Sequence, residues 1–146
     1  MVNVIFSRRH HLGSVLLRTG MWSPWSHCGV IEGDTVIQAA FGAGVVRTSL
    51  AEFKGIASQW AVVEFPASET FTAMAAASQI GKPYDLAGAV GIAVHRDWGE
   101  DDSWFCSELV AYALQEAGLP LFRDGAPRVT PQHLWMLNYP IIESTE

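Results

Sequence analysis

Basic residues and cysteines are both scarce in this sequence. Nine Lys and Arg stand against fifteen Asp and Glu over 146 residues, a formal net charge of -6. Binding along a nucleic-acid backbone usually needs a concentrated basic surface. The one basic run, Arg8-Arg9-His10-His11, reads as a solvated turn, so a nucleic-acid partner is not expected. Two cysteines, Cys28 and Cys106, are too few for a disulfide framework, and no CxxC pair marks a zinc site. Both are expected as free thiols, and no metal or cofactor is implied. The opening Met1-Val-Asn-Val-Ile-Phe-Ser lacks the charged region and long apolar core of a signal peptide. The most apolar later run, residues 86–94, is too short and too rich in glycine to cross a bilayer. A soluble chain made in the cytoplasm, with no membrane span, is the expectation. Neither a repeat nor a linker divides it, and its length suits one domain, residues 1–146, whose core needs neither disulfide nor metal.

What is present is apolar. Hydrophobic residues make up 49% and charged residues only 16%, which excludes a disordered chain. Val2, Val4 and Phe6 predict an opening strand, and Leu12, Val15 and Leu16 a short helix through Arg18. Met21-Trp-Ser-Pro-Trp-Ser is a loop. Its two tryptophans, Trp22 and Trp25, read either as core-edge packing or as the wall of a substrate groove. Gly33-Asp34 separates two β-rich runs, His27 to Glu32 and Thr35 to Ala40, and predicts a hairpin. A two-residue loop sets Gly29 opposite Gln38 and makes His27 and Gln38 diagonal neighbours on one face; a three-residue loop would send His27 to the other face. A third strand segment is expected over 42–47, a short helix capped by Thr48 or Ser49 and closed by Gly55, a strand over 59–65, and a helix capped by Ser68.

Residues 95–102 read as an exposed acidic loop, and a helix is predicted from about Trp104 to Ala117, stopped by Gly118-Leu-Pro120. Ser103 is placed to cap it. Thr130 and Pro131 open a short last helix, followed by a tail. Cys106 therefore stands at a helix start, where exposed N–H groups and the macrodipole favour thiolate. A cysteine hydrolase needs such a thiol, an imidazole to exchange its proton, and a polar group to orient the ring. Cys106, His27 and Gln38 supply them if the helix packs on the hairpin face that carries His27 and Gln38. Cys28, next to His27 on a strand, points the opposite way and reads as packing. Glu108 reads as a solvated carboxylate, and His95 and His133 lack the spaced partners of a metal site.

Four stretches carry a resemblance: Trp-Ser-His27-Cys-Gly-Val-Ile, Val-Ile-Gln38-Ala, Gly81-Lys-Pro-Tyr84-Asp and Phe-Cys106-Ser-Glu-Leu-Val. Over roughly residues 12–137 the chain resembles the circularly permuted branch of the NlpC-type papain-like cysteine peptidases, near the YiiX/YebB-like proteins. In the permuted order the histidine hairpin precedes the cysteine helix, as His27 precedes Cys106. The resemblance implies an α+β fold, an antiparallel sheet packed against the cysteine-bearing helix. It also implies Cys106 as nucleophile, His27 as base, Gln38 as the polar third member and Tyr84 as a support for the oxyanion. The third position is often His or Glu in such proteins; the neutral Gln38 orients the ring without adding charge. The implied substrate is an amide, in peptidoglycan stem peptides or a related small molecule, and a role at the wall would need delivery by a phage virion, lysis system or secretion system. Permuted relatives also include lipid acyl hydrolases and acyltransferases, and a structural or binding module without turnover, as in a phage tail, is the third reading.

Overall fold

The opening strand, β1 (Val2–Arg8), is the one the sheet is built on, because both of its faces are covered. Val2, Val4 and Phe6 enter one core and Ile5 a second. That double burial explains why Val4-Ile5-Phe6 is continuously apolar where a half-exposed strand would alternate. The computed structural model describes residues 1–10, 12–87, 90, 103–123 and 129–145, without the side chains of Leu12 and Met21. Along the chain β1 is followed by α1 (Leu12–Met21), β2 (His27–Glu32), β3 (Thr35–Ala40), β4 (Gly44–Ser49) and α2 (Leu50–Ile56). Then come β5 (Gln59–Phe65), α3 (Glu69–Ala77), α4 (Cys106–Glu116), α5 (Pro131–Trp135) and β6 (Ile141–Ser144). The result is an α+β arrangement around one antiparallel six-stranded sheet, ordered β4-β3-β2-β1-β5-β6.

The sheet separates two apolar layers. On one side α3, α4 and α5 cover Val4, Phe6, Cys28, Val30, Ile37 and Ala39, and Phe105, Leu109, Ala113 and Leu114 are fully buried there. Each such large side chain contributes about 1.5–3 kcal/mol on leaving water. On the other side Phe53 of α2 packs on Ile5, Ile31, Val36 and Val62. The β2–β3 turn has the predicted two-residue loop, with Glu32 paired to Thr35 and Gly33 at φ 58°. Ser49 caps α2, Ser68 caps α3, and Thr130 caps α5 in a reciprocal box with His133.

Several expectations shift. The third strand starts at Gly44, two residues late, because Phe41 to Ala43 form the turn. Gly55 lies inside α2, which runs on to Ile56. The expected tail forms the edge strand β6: its side chains are exposed, and pairing to β5 with an ion pair from Glu143 to Lys54 orders it, so no burial pattern announces it. Helix α4 begins at Cys106, not Trp104, because the chain at Trp104 forms a bridge with Tyr84, and its N-cap is Phe105, which makes no side-chain capping bond. Ser103 therefore does not cap it. The expected loop at 95–102, and most of the small-residue run after Leu86, lie outside the described residues.

Two hydrogen bonds tie β4 to the turn before Tyr84: Val45 N–H donates to the Lys82 carbonyl at 2.9 Å, and Gly81 N–H to the Val45 carbonyl at 3.0 Å. Gly44 makes this approach possible, with φ 76° and a hydrogen where a Cβ would collide with the Lys82 carbonyl oxygen. Gly44→Ala is expected to cost on the order of 1–3 kcal/mol, read as a lower urea midpoint at unchanged slope.

Candidate active site

His27 is the first residue of β2, and strand alternation points it away from α4, toward α2, where its ring stacks on Phe53 with centroids 5.6 Å apart. Its Nε2 lies 2.5 Å from Gln38 Oε1. Gln38 is buried and its amide is oriented from behind, since its Nε2 donates to Thr48 Oγ1 at 2.8 Å. Oε1 therefore faces the ring and accepts from Nε2–H, which leaves Nδ1 for the thiol. The diagonal neighbourhood of His27 and Gln38 expected from the two-residue loop is present. Gly29 lets the strands come this close: a Cβ there would stand 2.5 Å from Val36 Cγ1, 3.0 Å from the Ile37 carbonyl oxygen and 3.3 Å from Gln38 Cβ.

Cys106 approaches from the other side of the sheet. Helix α4 packs on the face that carries Cys28, Val30, Ile37 and Ala39. That corrects the expectation that it covers the face of His27 and Gln38, where the bulk of Phe53 and its neighbours already sits. The two faces meet where the hairpin opens. Pairing between β2 and β3 runs from Glu32↔Thr35 only to Val30↔Ile37. By strand alternation the Cys28 N–H points toward β3, and in a continued ladder it would meet Ala39. That N–H is left out of the ladder, and together with the Cys28 side chain and the His27 ring it acts on the buried Cys106 thiol at the start of α4.

Charge follows from this packing. Burial by itself raises the Cys106 thiol. The side-chain hydrogen bond with Cys28, the charge and hydrogen bond of His27, and the Cys28 N–H outweigh it and hold Cys106 well below the ordinary thiol range. Burial lowers His27, but the hydrogen bond and charge of Cys106 and the Gln38 contact overcome both burial and the nearby Arg9 charge, so the imidazole is raised. The two shifts run in the directions that favour a thiolate–imidazolium pair.

Tyr84 is half-buried beside this pair. A bridge to Trp104, through Trp104 N–H to Pro83 and Asp85 N–H to Trp104, at 3.0 and 2.9 Å, fixes it against the entry to α4. Its ring meets Phe41 and Phe105 edge-on, at 5.8 and 6.1 Å. Burial, then the charges of Cys106, Asp85 and Glu108, push its hydroxyl far above the usual phenol range and keep it a donor. The tryptophans part company. Trp25 is 8% exposed and lies edge-on to Trp135 at 5.2 Å in the larger core, so it forms no groove wall; Trp22 is 83% exposed, at φ 55°. Thr48, Phe53 and Cys28 join the site unannounced. Thr48 reads in the sequence as a helix cap, and only the β3–β4 register puts it behind Gln38.

Iodoacetamide alkylation of Cys106, located by mass spectrometry, is expected to reach half its limiting rate at a pH well below that of an ordinary thiol, since the thiolate is the reactive form. His27→Ala removes the positive partner and moves that midpoint upward. A variant whose midpoint stays put would mean that the imidazole does not hold the thiolate.

No family model and no curated protein matches this sequence. Among solved structures it is similar to the crystal structure of metalloprotein yiiX from Escherichia coli O157:H7, a DUF1105 protein, with a TM-score of 0.73 and 20% identity over 99% of this chain and 95% of that one. At that identity the likeness establishes a shared fold.

Proposed function

We propose that this chain is a cysteine hydrolase of the permuted papain-like type, cleaving an amide bond through Cys106, His27 and Gln38. One juxtaposition carries the reading: a buried helix-start cysteine whose thiol is lowered by an imidazole, and an imidazole whose Nε2 is held by the buried Gln38 amide. The thiolate attacks the substrate carbonyl. The oxyanion is met by the Cys106 N–H, first in a helix whose N-cap offers no side-chain acceptor, and by the protonated Tyr84 hydroxyl. Imidazolium gives its proton to the leaving amine, and neutral His27 then takes one from the water that releases the acyl group. Among the described residues no group of three or more His, Cys, Asp or Glu is arranged to hold a metal ion.

The substrate proposed is a peptidoglycan stem peptide or a related small amide, on the resemblance of the four motifs. Acyl-lipid chemistry on the same dyad has one observation in its favour, Phe41, 73% exposed and edge-on to Tyr84. Sacculi and a fatty-acyl ester, offered in parallel to the parent protein and to Cys106→Ala, separate the two. Release of muropeptide fragments by the parent alone supports the amide reading. Turnover confined to the ester would replace it, and equal fragment release by both proteins would remove Cys106 from the mechanism.

His27→Ala is expected to lower kcat by about 10²- to 10⁴-fold. The pH profile of kcat/KM should be bell-shaped. Activity falls on the acid side as the depressed Cys106 takes a proton, and on the alkaline side as the raised His27 loses one. In Gln38→Glu a buried carboxylate holds imidazolium more firmly, so the alkaline limb should move to higher pH. An unmoved limb would mean that position 38 does not act on the ring.

A further inference from the structure

Cys28 is a second free thiol, with no exposed surface, and the mechanism above makes no use of it. Packing alone gives no reason for sulfur here. Its neighbours on the same face of β2 and β1 are Val30, Val4 and Phe6, and a valine would suit that layer. Two of its groups converge on one atom. The side chain faces α4, the N–H points in the plane of the sheet toward the open side of the hairpin, and Cys106 at the start of α4 lies in the same buried cluster, where both groups of Cys28 lower its thiol. Cys106 is itself 1% exposed, so water does not solvate its charge. A buried anion without protein donors would be protonated instead.

We propose that Cys28 is a positioning residue for the nucleophile, its S–H and main-chain N–H donating together to Cys106 Sγ and seating the thiolate against His27 at the open end of β2–β3. The inference rests on Cys106 being the thiolate nucleophile. With the His27 ring the sulfur then has three donors, from two successive residues of one strand. Cys28 is suited to this role because it stays protonated: burial, then its hydrogen bond with Cys106 and the charge there, push it well above the ordinary thiol range. It is therefore a donor and no rival nucleophile. Of the other groups around this point, Asp85 ahead of the helix and Glu108 in its first turn act on Tyr84, which stays neutral, and Arg9 acts on His27.

The full chain and its Cys28→Ala and Cys28→Ser variants are compared by the pH dependence of Cys106 alkylation with iodoacetamide, which needs no hydrolase substrate. In Cys28→Ala the rate below the midpoint should fall about three- to tenfold and the midpoint should rise, since one donor to a charged sulfur is lost. Cys28→Ser keeps a donor and should stay close to the parent. A Cys28→Ala profile that superimposes on the parent overturns the proposal and leaves Cys28 a packing residue. A parent in which Cys106 reacts like an ordinary thiol would take down the hydrolase reading as well, so the two failures are distinct. The parent alone gives a further measurement if the variants do not fold, the Raman S–H stretch of Cys28 before and after alkylation of Cys106. A shift to higher frequency on alkylation supports donation to the thiolate, and an unmoved band overturns it.

Discussion

The β2–β3 ladder stops short of Cys28, and the arrangement of the candidate site depends on that opening. Were β2 and β3 paired to their ends, the Cys28 N–H would be spent on Ala39 and the sheet would stand closed between α4 and His27. The ladder stops at Val30↔Ile37, and the opening lets a side chain from the α4 face hydrogen-bond with a ring from the α2 face. The glycine at position 29 keeps β3 close at the point where pairing ceases, so Gln38 still reaches His27.

Burial sets the electrostatic problem, and neighbours answer it. A thiol with almost no exposed surface would stay neutral, but donors and a positive ring on one strand reverse the balance. The imidazole is raised because Cys106 and Gln38 together overcome its own desolvation. Gln38 contributes a lone pair and no charge, and Thr48 decides which end of its amide faces His27. Tyr84, held protonated by burial and the nearby negative charges, adds a hydroxyl donor beside an uncapped helix start. Each group thus has its protonation state imposed by the others, the condition under which one pH range suits all of them.

The parts of this arrangement that could be read along the chain are those set by neighbours in sequence. Gly33-Asp34 makes a two-residue loop, and such a loop dictates which residues of its strands share a face, so His27 and Gln38 could be paired from spacing alone. The caps at Ser49, Ser68 and Thr130 are local hydrogen bonds and were equally legible. The start of α4 was misread because the bridge between Tyr84 and Trp104, twenty residues apart, holds the chain extended up to Phe105. The edge strand β6 was invisible because pairing to β5 orders it while its side chains stay in solvent.

Alternation and turn chemistry alone thus determined the strands other than β6, the hairpin register, a cysteine at a helix start, and a histidine–glutamine pair on one face. Those signals act over a few residues, and the backbone geometry that links them is the same in any fold. The tertiary structure decided which face of the sheet α4 covers, that Trp25 is core while Trp22 is exposed, and that Cys28 and Cys106 share one buried cluster. These depend on where β2 and β3 part and on what fills each layer, which are set by long-range packing and leave no periodic mark in the sequence.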